Sequence, residues 1–470
     1  MPRRVVSASI FFPRGGSAHV LRALAVNLPS HGWDVTLLTG SRHDEGGHGD
    51  ARRFFAGLDA REVDYTAALS ADDPMDPPDG AAPMHPSYED RPDAPDRVFA
   101  KVDDEAYERI VDTWCKALVE AGAPTSEALH LSHLTPINEA AARVAPDVPV
   151  VGHVHGTELL MLERIAEGPP PGWEHAEAWA ERLRRWSAAC ERVVLLSETQ
   201  RSRAADVLDV DPDRCVVMAN GYDPSNFAPA QRPVDRVAMW RRHLVADPQG
   251  WRPGERAGSV AYREDDLDVF ADGVTLLFVG RFTEVKRVGL LIEAHAAARE
   301  RFERPAPLVI VGGHPGEWED EHPFQTIERI GARDVFLAGW HDHDALPELL
   351  HASDALVLPS VREQFGQVIV EAMACQVPPV AVDRFGPATI VADGETGWLV
   401  EPDDRDGLAD ALVQIVNEPE ERRRRAAAAL VDARERFSWP ALAGTMAETL
   451  NAASEGSLTR KPDSCTLSAT

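Results

Sequence analysis

Lysine is nearly missing from this chain. Of its 470 residues, 48 are Lys or Arg, and only Lys101, Lys116, Lys286 and Lys461 are lysines. Against these cations stand 77 Asp and Glu, giving a formal net charge of -29. That deficit excludes a broadly basic surface for nucleic acid, whose phosphates are held by Lys and Arg with release of counterions. Contact with an anionic membrane surface is not expected for the same reason. Cysteine is scarce too. Cys115, Cys190, Cys215, Cys375 and Cys465 are scattered, odd in number and without a Cys-x-x-Cys pair, so neither a disulfide framework nor a zinc site is expected. No apolar run approaches the roughly 20 residues of a membrane-spanning helix. The short run Val5–Phe12 lacks the length and cleavage site of a signal peptide. Together these absences predict a cytoplasmic protein. The dinucleotide fingerprint Gly-x-Gly-x-x-Gly is also absent, which argues against a nicotinamide-dependent dehydrogenase.

What is present is an ordinary globular composition, 44% hydrophobic and 27% charged, long enough for two or three domains. The first element, Arg4–Phe12, is a buried strand closed by Pro13-Arg14-Gly15-Gly16. Val20, Leu21, Leu24, Ala25 and Leu28 then form a helical stripe, and Val35–Leu38 reads as a second strand. Strand, glycine turn, helix, strand is the opening of a doubly wound parallel sheet. Further strands are predicted at Ala128–Leu131, Val148–Val154, Val193–Ser197 and Cys215–Met218. A second α/β run starts at Val274, with strands at Val274–Val279, Leu308–Val311, Asp334–Leu337, Ala355–Leu358, Val380–Val382 and Gly397–Val400.

Two stretches break the pattern. Residues 64–96 hold nine acidic residues, seven prolines and one arginine, Arg91, and read as a solvated surface loop or, functionally, as a lid. If the loop acts on function, its charge would attract a cationic, amine-bearing acceptor. Residues 223–272, interrupted by five prolines, read as a linker with an insertion. The domains drawn from this are 1–222, the linker 223–272, 273–436, a terminal helix 437–452 crossing back to the first domain, and a disordered tail 453–470. Two doubly wound domains imply a cleft where ligands bind.

Candidate chemistry gathers at strand ends, where open α/β sheets hold ligands. Gly280-Arg281 ends one strand, and Lys286 follows at a helix start. Two cations there suit a diphosphate, Arg as a bidentate fork and Lys as a point charge. In a chain that otherwise writes arginine, Lys286 calls for a local reason. Glu363 lies in a loop before the helix Val368–Cys375, with the amides of Phe365, Gly366 and Gln367 beside it. On that helix Val368, Glu371, Ala372 and Cys375 share one face, so Glu371 is a carboxylate on an apolar face and needs partners. Vicinal ribose hydroxyls would donate to it. His155 ends a strand before Gly156 and is placed for hydrogen bonding or acid–base work. Gly15 and Gly16 follow the first strand and could offer amides to phosphate. The pairs His153/His155 and His341/His343 each point one way on a strand, as metal ligands would. Neither has a carboxylate at ligand spacing, so no metal is expected, and His341/His343 is read as a polar turn.

These residues resemble the GT-B glycosyltransferases, specifically the retaining family 4 (group 1). The resemblance rests on Gly280-Arg281-Phe282-Thr283-Glu284-Val285-Lys286, on Glu363 and Glu371 eight residues apart, on Asn220 to Phe227, and on Gly394-Glu395-Thr396-Gly397-Trp398-Leu399-Val400. It is strong over residues 270–440 and weaker before them. The resemblance implies two Rossmann-like domains, an N-terminal acceptor-side domain and a C-terminal nucleotide-sugar domain. It implies that Arg281 and Lys286 bind the donor diphosphate, that Glu371 holds the ribose, and that Glu363, Phe365 and Gly366 meet the transferred sugar. His155 would contact the sugar, and Gly15 and Gly16 would lie near the phosphates. The implied reaction moves a hexose, with retention, from a UDP- or GDP-linked sugar to a small-molecule or glycan acceptor, with no metal or cofactor. A non-catalytic sugar-nucleotide binder on the same fold is the alternative. One departure stands out: the family often carries Glu where this chain has Thr389. Donor base, sugar, acceptor and oligomeric state are left open.

Overall fold

The computed structural model describes residues 2–13, 16–43, 49–78, 80–90, 95–363 and 365–459. The chain divides into two units, Met1–Ala219 with Trp439–Thr470, and Asn220–Ser438.

The first unit is built on seven parallel strands: β1 Arg3–Ser9, β2 Trp33–Ser41, β3 Ala60–Asp64, β4 Ala128–Ser132, β5 Val150–His153, β6 Arg192–Leu195 and β7 Cys215–Val217. Their order is β3-β2-β1-β4-β5-β6-β7. The order reverses between β1 and β4, whose register pairs Val5 with Ala128 and Ser9 with Ser132. Helices cover both faces, which is why the strands are continuously apolar rather than alternating. β4, for example, is buried at every position. The helix Trp439–Thr459 belongs to this unit. Its Leu442, Ala443, Met446 and Leu450 pack with Val5, Val20, Leu24 and Trp33.

The second unit repeats the plan with six parallel strands: β8 Leu276–Val279, β9 Leu308–Val311, β10 Val335–Gly339, β11 Ala355–Leu358, β12 Pro379–Val382 and β13 Trp398–Val400. Their order is β10-β9-β8-β11-β12-β13, reversing between β8 and β11. Both sheets are doubly wound Rossmann-like sheets, as the hydrophobic pattern predicted.

Three expectations need correction. Residues 64–96 are not simply a solvated loop. They begin at the end of β3, and Tyr65, Met75, Met84, His85 and Tyr88 are buried in the main core of the first unit. Prolines exclude helix and strand interior but permit an extended chain that threads apolar side chains inward. Of the acidic residues that would attract an amine, Asp96 is buried, and Asp93 lies outside the described residues. The acidic charge is partly neutralised as well, Asp73 by Arg97 at 2.9 Å and Asp90 by Lys101 at 2.8 Å.

Residues 223–272 are likewise no free linker. Trp240, Leu244, Trp251, Leu267 and Phe270 are buried, and Trp251 Nε1 donates to the Gly313 carbonyl at 3.0 Å. The tail expected to be disordered from residue 453 stays helical through Thr459, and residues 460–470 lie outside the described residues. β3 itself went unpredicted because its sequence, Ala-Arg-Glu-Val-Asp, is that of an edge strand with one buried side chain.

Candidate functional site

In the second unit, β8 hands over to Gly280 and Arg281. Gly312, after β9, has φ +121°, and a Cβ there would sit 2.0 Å from the Gly280 carbonyl oxygen. Glycine at 312 is therefore what lets the two strand ends nest. Arg281 is exposed and has no ion-pair partner among the described residues. Lys286 does not open a long helix directly. It ends the short 3₁₀ turn Glu284–Lys286, and Arg287, in the left-handed region, turns the chain into the helix Val288–Ala298.

The loop after β11 is tied to this turn. Val361 N and Ser360 Oγ both donate to the Val285 carbonyl, at 3.0 and 3.3 Å. The tie brings Lys286 Nζ onto Glu363 Oε2 in a charge-assisted hydrogen bond. Both side chains are about four-fifths buried, 18% and 20% exposed. Two residues that the sequence placed on separate parts of a donor are thus in contact with each other. Behind them Gly386 N donates to the Glu363 carbonyl at 3.1 Å, and a Cβ at 386 would come within 2.4 Å of Phe365 Cα. Only glycine fits there. Thr389, at the departure from the family pattern, turns its hydroxyl onto the Gly386 carbonyl at 2.7 Å.

Glu371 sits on the helix Gln367–Ala374, whose N-cap is Gly366 at φ +100°. It is 3% exposed. Its Oε1 accepts from His343 Nε2 at 2.9 Å and from Gln367 Nε2 at 3.2 Å. Gln367 Nε2 also donates to the Gly221 carbonyl at 2.8 Å. Phe365 is buried, its ring 6.0 Å from that of Phe437. His343 was missed as a partner of Glu371 because it is 28 residues away in sequence. The Gln367–Glu371 link was legible, since residues four apart on a helix face each other. The hydrogen bond to Glu371 holds the His343 imidazole above its ordinary pKa, against the opposing effect of burial.

In the first unit, His155 lies between β5 and the helix Thr157–Ala166, with Gly156 at φ +98° as the N-cap. Its Nε2 is 3.0 Å from Ser132 Oγ at the end of β4. It does not stand alone. The rings of His133 and His153 lie 4.5 and 4.3 Å from it, and His153 Nδ1 is 3.2 Å from His130 Nε2. Glu158, fully buried, accepts from His133 Nδ1 at 2.8 Å. Burial pushes the Glu158 carboxyl up, but His133 and the backbone amides of Glu158 and His155 outweigh it and hold the pKa below the ordinary value. Burial, and then the neighbouring histidines, push His153 and His155 well below the ordinary imidazole range, while burial alone takes His130 to about 4. Neutral imidazoles at neutral pH follow. The supposed surface loop closes over this group: Tyr88 Oη donates to the Leu134 carbonyl, and the Tyr88 ring lies 5.8 Å from His133. Gly16 begins the helix Gly16–Asn27, and a Cβ there would meet nothing within 4 Å. Gly15 lies outside the described residues.

Among the described residues, neither paired-histidine motif belongs to a group of three or more metal-type ligands. The one such group is His43, Asp50 and Glu62, at the end of β2 and on β3, which the sequence did not single out. There His43 Nδ1 and Nε2 are each 3.2 Å from a carboxylate, and Arg52 also bonds Glu62. Both ring nitrogens are already engaged within the protein.

The model described as glycosyl transferases group 1 matches residues 264–430, and that of glycosyltransferase family 4 matches residues 106–226. A D-inositol 3-phosphate glycosyltransferase of Stackebrandtia nassauensis is 31% identical over 310 residues, 64% of this chain and 62% of the relative. The chain thus matches a little under two thirds of that relative's length. The Thermomonospora curvata protein of the same description is 28% identical over 330 residues, 67% of this chain and 70% of the relative. Among solved structures, sucrose-phosphate synthase of Thermosynechococcus elongatus is similar at a TM-score of 0.63, with 18% identity, covering 96% of this chain and 98% of that one. Anabaena HepE, solved in complex with UDP and glucose, gives a TM-score of 0.60 and 17% identity over 95% and 99% of the two chains. At such identities the structural likeness shows the fold, which is GT-B. Two doubly wound sheets on that fold, and two family models that match one in each half of the chain, lead to one conclusion: in both halves this chain is similar to the group 1, family 4 glycosyltransferases.

Proposed function

We propose that the protein is an enzyme that transfers a hexose from a nucleoside diphosphate sugar, UDP- or GDP-linked, to an acceptor hydroxyl with retention at the anomeric carbon. The observation that carries this reading is the Lys286–Glu363 pair at the end of β8 and β11, beside the buried Glu371. A largely buried ion pair keeps each charge from being left unpaired before the donor arrives. When the donor binds, its diphosphate takes over Lys286 together with Arg281, its sugar hydroxyls take over Glu363, and its ribose hydroxyls donate to Glu371. The sugar C1–O bond breaks toward the diphosphate, whose growing charge the two cations stabilise. The acceptor oxygen bonds to C1 from the same face and its proton passes to the departing phosphate oxygen. His155, neutral and oriented by Ser132, positions the sugar. Gly15 and Gly16 offer amides near the phosphates. No metal or cofactor is invoked, because the cations are supplied by side chains. A cytoplasmic setting suits the free cysteines Cys115, Cys190, Cys215 and Cys375.

The relatives named as D-inositol 3-phosphate glycosyltransferases make an inositol phosphate the first acceptor to try. A panel of nucleotide sugars is incubated with and without D-inositol 3-phosphate, and the anomeric configuration of any product is read by NMR coupling. Transfer from one donor with retained configuration is expected. An inverted product, or transfer undiminished in a folded Lys286→Ala variant, overturns the mechanism. Donor binding with neither hydrolysis nor transfer across the panel favours the non-catalytic reading.

A further inference from the structure

The second sheet has another edge. Lys286, Glu363 and Glu371 stand at the carboxyl ends of its strands, whereas Asp354 precedes β11 and Val377 and Pro378 precede β12. Four strand residues at ~3.3 Å each put the two edges about 13 Å apart. On this amino-terminal edge lies a cavity of about 420 Å³ lined by Arg236, Arg422 and Arg423, with Asp354 as its single carboxylate.

Its charges do not balance. Arg236 grips Asp354 with both Nη atoms, at 2.6 and 3.0 Å, and so uses up that carboxylate. Arg422 is left 3.9 Å from Asp354, and its Nη1 donates to the Ile415 carbonyl. Its side chain is nevertheless only 11% exposed. Arg423 pairs with Glu420 at the rim and is 66% exposed. Burial, then the surrounding Arg304, Arg236 and Arg423, hold the Arg422 guanidinium below its ordinary pKa, with Asp354 opposing. Among the described residues it is the one arginine shifted in that direction. In a chain of net charge -29, a largely buried guanidinium whose nearest carboxylate is already gripped by another arginine is an unfinished electrostatic arrangement.

A phosphate would finish it. Guanidinium forks match phosphate oxygens bidentately, and Asp354 holds the Arg236 fork in one orientation. The cavity has room beyond the phosphate itself, walled by apolar groups such as Leu350 and Val377. We propose that this cavity is a second anion site, separate from the candidate donor site, that takes the phosphate group of a small anion between Arg422, Arg423 and the Arg236–Asp354 pair. The shared chemistry is the phosphate; free phosphate and a phosphate ester are its two possible sources.

The test uses the full chain carrying Lys286→Ala, so that the donor site is weakened as a phosphate binder. Inorganic phosphate and glucose 6-phosphate are titrated by calorimetry at constant ionic strength, with sodium chloride as the control. Saturable one-site binding is expected, weakened about tenfold by Arg423→Gln, a loss of one rim contact, and abolished by Arg422→Gln. Tighter binding of glucose 6-phosphate assigns the site to a phosphate ester, and equal binding assigns it to free phosphate. No saturable binding of either probe overturns the proposal, as does binding unchanged by Arg423→Gln. Should Arg422→Gln fail to fold, Arg423→Gln decides alone, since its exposed guanidinium has no core role.

Discussion

The carboxyl edges of the two sheets use opposite electrostatics. At the first edge, His130, His133, His153 and His155 cluster around one buried carboxylate, Glu158, and three of the imidazoles are held neutral. At the second edge the candidate groups are formal charges, with Lys286 on Glu363, Glu371 beside them and Arg281 without a carboxylate partner among the described residues. Neutral hydrogen-bonding groups orient a sugar without competing for its charge. Formal cations are suited to a diphosphate. The two units share a plan of strands and differ in what their strand ends carry. Plan alone therefore does not assign chemistry, as is general for doubly wound folds.

Acid should separate the two edges most strongly. The depressed histidines of the first unit are neutral when folded and charge when unfolded. Stability is therefore fully present above pH 6.5 and is lost as pH falls through 6.5 toward the folded values. For His130, with a folded value of about 4, the loss is on the order of 3 kcal/mol across that window. Urea unfolding at pH 7.5 and pH 5 measures it. An His130→Asn variant should show a shallower pH slope, and an unchanged slope would break the contrast.

The second edge is sharpened by removing its cation. Lys286→Ala should lower kcat/KM by about 10²–10³-fold, the range for losing one charge-stabilising donor, with the fold intact by circular dichroism. Next in size, Glu371→Gln should raise the donor KM roughly 10–100-fold, as expected when a charged acceptor loses its hydrogen bonds. Little change in kcat is expected, because the ribose lies away from the bond being broken. A fall in kcat with KM unchanged would move Glu371 from binding into chemistry.

The smallest effect belongs to His343. Its pKa is raised by Glu371, so the pair stabilises below pH 6.5 and the contribution is lost as pH rises through the higher folded value. With His343 60% exposed, solvent screening limits this to about 0.2–1 kcal/mol. The comparison between His343→Asn and the parent at pH 6 and pH 8.5 reads it. A loss as large as that of the first edge would show that the second is no less histidine-dependent.

Much of this was written in the sequence. Continuous apolar runs gave away twelve of the strands, all but β3, because a strand covered on both faces admits no polar alternation. Lys286, in a chain nearly without lysine, marked its own place. Glu371 stood out as a carboxylate on an apolar helix face. What sequence could not supply was everything made by side chains distant in the chain. It did not pair Lys286 with Glu363 across 77 residues, bring His343 to Glu371, or assemble the histidine cluster from β4 and β5. It mistook Tyr65, Met84 and Tyr88 for surface because proline and acid surround them. Periodicity reports which face of a local element is buried, and composition reports average exposure. Which groups from separate elements meet, and so which charges are neutralised and which are left waiting for a ligand, was decided only when the strands took their order in the sheets.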